Sequence, residues 1–279
     1  MEIRNILILA GKETRESLKN RWFVLYTVSF SVLAVLILSI APGRNEITGI
    51  SGYGRTAASL INLVLLFVPL IALITGSISI SGERENGTLQ YLLSHPVTKA
   101  EVFVGKFSGI LVPICFSISL GFGLAGIGVA LRGGSGDAAE FVLTALLSGL
   151  LAASLLSVGF VVSVFSRRAS KAIGVAVFLW LLIIVLGDLG IMGTAVAMDL
   201  GIKQVFALAL LNPAEVFKIA SVLVLSPRFE ILGPVGVYAV RTFGREGVIF
   251  ILLSVMALWT IIPFVYAFIT FSLTRREES

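Results

Sequence analysis

The sequence contains one cysteine and one histidine, and only 13% of its 279 residues are Asp, Glu, Lys or Arg, against roughly a quarter in soluble domains. A single thiol, Cys115, forms no disulfide within the chain, and the lone imidazole, His95, has no second imidazole near it in sequence. The chain therefore offers no soft or imidazole ligand set for zinc or copper, and it is expected to bind no cofactor of its own. A glycine-rich phosphate loop with its lysine is also missing: the nearest glycine-dense stretch, Arg132-Gly133-Gly134-Ser135-Gly136, has no lysine. Work driven by ATP and Mg would have to be done on another protein.

What fills the chain instead is apolar sequence, 57% of residues, with a mean hydropathy of +1.02. Uncharged stretches recur at Trp22 to Ala41, Thr56 to Gly82, Phe107 to Leu131, Phe141 to Ser166 and Val248 to Thr274, and Ala172 to Met198 carries one charge, Asp188. About 20 helical residues cross roughly 30 Å of hydrocarbon, so each stretch is long enough to span once with some tilt. Barrel strands would alternate apolar and polar over about ten residues, and these stretches do not. The fold class expected is all-α and polytopic, a single membrane domain over 1–279 with six spans. The 21 residues before the first span hold five basic and three acidic side chains, which is not the n-region of a signal peptide, so that span is expected to be retained.

Lys and Arg fix the expected orientation. With the N-terminus in the cytoplasm, the inner segments collect Arg4, Lys12, Arg15, Lys19, Arg21, Arg84, Lys99, Lys106, Arg167, Arg168, Lys171, Arg275 and Arg276, while the short outer loops hold Arg44, Arg55 and Arg132. Both termini are expected to be cytoplasmic, in a multi-pass protein of the cell membrane. The net charge of +5 follows from this bias and from contact with anionic membrane lipids, so it gives no reason to expect a nucleic-acid partner.

Residues 3–20 read as an amphipathic helix lying on the membrane. Ile3, Ile6, Leu7, Ala10, Thr14 and Leu18 recur every three or four positions, opposite Lys12, Glu13, Arg15, Glu16 and Lys19. The segment serves either as a plain anchor or as a mechanical element. Residues 83–97, between the second and third spans, carry Glu83-Arg84-Glu85, then Gly87-Thr88-Leu89, then Leu92, Leu93 and Pro96. Gly87 can relax the backbone between helices, and Pro96 ends a short apolar face. Thr98 and Glu101 have the spacing of a capping box, so the next helix should begin near Lys99.

Acidic-Arg-acidic, x-Gly-Thr-Leu, paired leucines and x-x-Pro-Val at this place in a six-helix order resemble the first cytoplasmic loop of ABC-2 exporter permeases. The resemblance implies a half-transporter of six helices preceded by an elbow helix, a second copy of the permease, and a cytoplasmic ABC ATPase dimer. It also implies that Glu83, Arg84 and Glu85 close the second helix, while Gly87, Thr88, Leu89, Leu92, Leu93 and Pro96 form a coupling segment seated in the ATPase. The carboxylates would pair with basic groups of the ATPase or of the elbow helix, such as Arg15 or Lys19.

Residues 200–247 form the largest outer segment. Asn212, Pro213 and Glu215 combine an N-cap, a proline in the first turn and an early glutamate, so a helix is expected from Pro213 to about Leu225. It ends before Pro227, and Gly233, Pro234 and Gly236 are expected to break the remainder. Neither this helix nor Val205 to Leu211 is long enough to cross, so both should lie on or dip into the outer face, as a gate or as a simple cap. Leu211, Asn212, Pro213, Glu215, Phe217 and Lys218 resemble the same segment of the permeases that mature nitrous-oxide reductase. That resemblance implies an extracytoplasmic accessory protein and a small sulfur species as cargo; export of a lipid-like or drug-like molecule is the alternative.

Asp188 is the one carboxylate within an expected span and serves either the cargo pathway or a hydrogen-bonded structure at the outer mouth. An intramembrane enzyme would have only Asp188 and His95 as acid-base groups, which fall toward opposite sides of the membrane. A membrane anchor would have no need of the 83–97 surface. A non-catalytic transport subunit is the reading these residues favour.

Overall fold

The computed structural model describes residues 2–40, 52–94, 96–131, 138–187, 189–190, 193–194, 198, 200–225 and 233–273. The described residues are helical, with no strand among them. In chain order the helices are α1 (Ile3–Lys19), α2 (Arg21–Ile40), α3 (Gly52–Glu85), α4 (Thr88–Leu93), α5 (Lys99–Leu131), α6 (Ala138–Phe165), α7 (Ala169–Leu181, continued by a π-helical turn, Leu182–Leu186), α8 (Ile202–Leu210), α9 (Pro213–Leu225) and α10 (Gly233–Leu273). The chain is an all-α polytopic membrane protein. α3, α5, α6, α7 with its π turn, and α10 are each long and apolar enough to cross a membrane, and α1 and α2 pass that test together across a 71° bend. The pair α8 and α9 passes it together as well, so among the described residues five to seven helices or bent pairs are long and apolar enough to cross, a range that includes the six expected spans.

α8 and α9 meet at 110°. At 1.5 Å per residue their 9 and 13 residues are too short to span singly, so the two form a sharply bent helical hairpin. α9 is buried along most of its length, including Pro213, Val216, Phe217, Ala220 and Leu223, and packs on α6, α10 and α3. It dips into the bundle.

Membrane helices gain little by hiding apolar surface from lipid, so they associate where small residues let backbones meet. α6 lies at the centre, packed on α3, α10, α5 and α9. At its closest approach to α3, a Cβ added to Gly159 would stand 2.8 Å from the Leu73 carbonyl oxygen, and one added to Gly76 would stand 2.8 Å from that of Leu156. One turn on, the Ser163 hydroxyl accepts from the backbone N–H of Ile80 (2.8 Å) and Ser81 (2.9 Å). α10 is held to α5 and α6 by rings: Phe103 lies 5.2 Å from Phe160 and 5.1 Å from Phe264, and Phe107 lies 4.8 Å from Phe264, all edge-on. Ser154 adds a polar tie between α6 and α10, donating to the Met256 carbonyl.

Two expectations need correction. α10 begins at Gly233 and not after a broken 233–247 segment, because Pro234 falls in the first turn, where its missing N–H costs nothing. The break falls instead at Gly244, whose φ of +72° suits a residue without a Cβ. The second concerns one residue of the elbow: Glu13, assigned to the solvated side, is buried with Leu9 against α5, while Ile3, Leu7 and Leu18 stay on the outer surface of the bundle, where lipid can cover them. A buried cationic partner on α5 accounts for the burial of Glu13.

Candidate functional site

α1, α4 and the adjoining ends of α3, α5, α6, α7 and α10 gather at one end of the bundle. α5 receives the elbow through two glycines: a Cβ at Gly105 would meet Leu9 Cβ at 2.7 Å, and one at Gly109 would meet the Ala10 carbonyl oxygen at 2.6 Å. This close approach lets the Thr14 hydroxyl donate to the Gly109 carbonyl at 3.0 Å. At the start of α5 the capping box forms, with the Thr98 N–H donating to Glu101 Oε2 at 2.9 Å and the Glu101 N–H donating to Thr98 Oγ1 at 3.3 Å. Glu101 also accepts from the Glu2 N–H and from Asn5, so one carboxylate caps α5 and ties down the start of α1.

Each member of Glu83-Arg84-Glu85 has a partner within the chain. Glu83 Oε1 lies 2.7 Å from Lys106 Nζ and 3.7 Å from Lys12 Nζ. Arg84 donates to the carbonyls of Val164 (3.0 Å) and Ser166 (3.2 Å), closing the end of α6. Glu85 accepts from the Ala169 N–H at 2.8 Å, at the start of α7, where a carboxylate suits the helix dipole. The elbow residue that reaches Glu83 is Lys12, in place of Arg15 or Lys19. Lys106 and Glu13 are partners that sequence reasoning missed. The available signal was a lysine next to Gly105 at the edge of an uncharged run, which calls for a carboxylate within reach.

Gly87 opens α4 with φ +72°. The leucine face of this six-residue helix turns toward its own bundle: Leu89 is buried, and Leu93 is half-buried against the core. Leu92 is also half-buried, Thr88 and Pro96 are exposed, and Tyr91 presents 71% of its surface outward. Tyr91 is thus the large side chain that α4 offers to a partner, and the leucine pattern did not single it out.

At the opposite end, Asn212 places α9. Its Oδ1 accepts from the Ala214 N–H at 2.9 Å, and its Nδ2 donates to the Ile183 carbonyl at 2.7 Å, within the π turn that continues α7. Trp259 donates to the Leu210 carbonyl at 3.4 Å and Arg245 to the Leu223 carbonyl at 2.9 Å, so the hairpin is tied at three points. Glu215 and Lys218 pair at 3.6 Å on the wall of a cavity of about 310 Å³ between α8, α9 and α10. Pro213 and Phe217 face the interior of the bundle. Asp188 lies outside the described residues. A second, apolar cavity of about 720 Å³ opens between α5 and α6, bordered by Cys115, Phe122, Gly126, Phe141 and Gly149.

The profile of the ABC-2 family transporter protein matches residues 7–277, nearly the whole chain. The chain belongs to the ABC-2 transporter family. Its relatives include a probable ABC transporter permease protein NosY from Stutzerimonas stutzeri, 30% identical over 220 residues, or 76% of this chain and 79% of the relative. The NosY of Pseudomonas aeruginosa is 29% identical over the same shares. A probable multidrug ABC transporter permease, YbhR, of Escherichia coli K12 is 31% identical over 121 residues, covering 42% of this chain and 31% of the relative. The chain is therefore a membrane permease subunit of an ABC transporter, non-catalytic itself and related to NosY-type permeases at moderate identity. Such permeases work with a cytoplasmic ATPase, and the end that gathers α1, α4 and the Glu83-Arg84-Glu85 ties is the candidate site for that coupling.

Proposed function

We propose that two copies of this permease join two copies of a cytoplasmic ATPase that binds ATP and Mg, with α4 as the contact and with Glu83 to Pro96 framing it. The transporter exports a small sulfur species for the copper-sulfide centre of nitrous-oxide reductase, and an extracytoplasmic accessory protein receives the cargo near the α8–α9 hairpin. The observation that carries the cargo reading is the similarity to NosY relatives over three quarters of the chain, joined to the Leu211 to Lys218 pattern. A sulfur species needs no cysteine or histidine ligands along its path, whereas a permease for free copper would be expected to offer several. Deleting this gene alone should remove the sulfide-containing copper centre of the reductase and spare its other copper centre. Normal maturation of both would reject the cargo and favour the second reading, export of a lipid-like or drug-like molecule, which the apolar 720 Å³ cavity and the partial match to YbhR support.

The ATPase contact has its own test. Exposed tyrosines often dominate protein interfaces, so Tyr91→Ala should weaken retention of the co-expressed ATPase on the tagged permease about ten-fold. Leu89→Ala should act chiefly on permease stability, since that side chain is buried in the permease itself. Equal ATPase retention by Tyr91→Ala and parent would remove α4 as the contact.

A further inference from the structure

Lys106 sits where three elements meet. Its ammonium lies 2.7 Å from Glu13 on α1 and 2.7 Å from Glu83 at the end of α3, and its side chain is 2% exposed. Lys12 stands 3.7 Å from Glu83 and 3.9 Å from Glu13 at the more open edge of the cluster. The two carboxylates are on helices that otherwise meet α5 in different ways. α1 is packed tightly onto α5 at Gly105 and Gly109 and tied to it by Thr14 and Glu101. Glu83 stands five residues before Thr88, on the last turn of the helix that leads into α4. Glu83 Oε2 is buried and has no hydrogen-bond partner among the described residues, and the ion pairs of this carboxylate run through Oε1 to Lys106 and Lys12.

We propose that Lys106 is the positioning residue of energy coupling: it fastens the base of the ATPase-contacting loop to the elbow helix, so that α1, α5 and the end of α3 answer a push on α4 as one body. The proposal rests on the reading of α4 as the ATPase contact. Drawing Glu83 away would leave Lys106 and Lys12 facing Glu13 alone, a net positive charge at a largely buried site, so separating α3 from α1 is opposed while Lys106 holds both carboxylates. Packing at Gly105 and Gly109 joins α5 to α1, and α3 packs on α5 elsewhere, but the ion pairs of Lys106 are what join α1 to the end of α3 that leads into α4. Removing all the buried charges together is often tolerated by a fold, which allows coupling to be separated from stability.

The experiment places spin labels at Gly11→Cys on α1 and Gln90→Cys on α4, both exposed positions, in a Cys115→Ala permease reconstituted in nanodiscs with an excess of unlabelled Cys115→Ala permease, so that only distances within one copy are read. The parent and Lys106→Arg should each give one narrow α1–α4 distance. Lys106→Met should give more than one population, and so should the charge-free Lys106→Met, Glu13→Gln, Glu83→Gln triple variant even where it melts with the parent. In complex with the ATPase, Lys106→Met and the triple variant should each lose at least about five-fold of the permease-dependent change in ATP hydrolysis while retaining the ATPase itself. A single parental distance in Lys106→Met or in the triple variant overturns the proposal, as does a Lys106→Arg distribution as broad as that of Lys106→Met. Failure of the parent to retain an ATPase would reject the function reading instead, and the distances in the permease alone would still decide the role of Lys106.

Discussion

Replacing Gly159 with valine is expected to cost the permease about 1–3 kcal/mol or more, the usual range for overpacking a tight interface. An added Cβ would lie 2.8 Å from the Leu73 carbonyl oxygen and 3.0 Å from Gly76 Cα. Both are backbone atoms, so no side-chain rotation relieves the contact, and α3 or α6 must move as a whole. That displacement would also stretch the two hydrogen bonds that the buried Ser163 hydroxyl accepts from the Ile80 and Ser81 N–H groups, removing the polar tie between the two helices. Melting of the purified permease in detergent should fall by several degrees. Gly123→Val is the matched control: it is helical, exposed, and an added Cβ meets nothing within 4 Å. It should melt with the parent, within about 0.5 kcal/mol. Equal melting of the Gly159 and Gly123 variants would show that α3 and α6 are not in backbone contact here.

The long apolar helices, the elbow helix, the start of α5 and the α9 helix were legible because each rests on a local rule: uncharged length, three-and-four spacing, a capping box, or Asn-Pro before an apolar run. Properties set by a partner distant in sequence were not. The burial of Glu13 on α1 could not be read from periodicity, since that residue looks solvated until Lys106, 93 residues away, is placed beside it. The same holds for Glu83-Arg84-Glu85, whose charges suggest a solvated helix end or a protein contact, yet tie α3 to α5, α6 and α7. The leucines of α4 had the right apolarity for an interface, but apolarity does not say which side is covered. Proline misled at 234 because its effect depends on whether it falls in a first turn or an interior one, and only the preceding break decides that.

Asn212→Ala is expected to cost about 2 kcal/mol or more, because one side chain performs two tasks: a cap whose loss costs about 0.5–2 kcal/mol, and a bond to the Ile183 carbonyl whose loss leaves that oxygen short of a donor. The amide orientation follows from its neighbours, since the Ala214 N–H requires an oxygen and the Ile183 carbonyl requires a donor. A π turn opens the helix ladder, and Asn212 supplies the donor at that opening. The geometry also explains Gly187, where an added Cβ would come within 2.1 Å of Asn212 Nδ2. Asn212→Asp separates the tasks, retaining a capping oxygen and losing the donor. Hydrogen exchange over 202–225 should accelerate broadly in Asn212→Ala, while Asn212→Asp should retain protection at the first turn of α9 and lose it around the π turn. Gly187→Ala should resemble Asn212→Asp near Ile183, since both part the amide from that carbonyl. If the hairpin works as an outer gate, these three variants should impair export with the ATPase still bound. Parental exchange in Asn212→Ala would mean that Trp259 and Arg245, which tie α10 to α8 and to α9, hold the hairpin without Asn212.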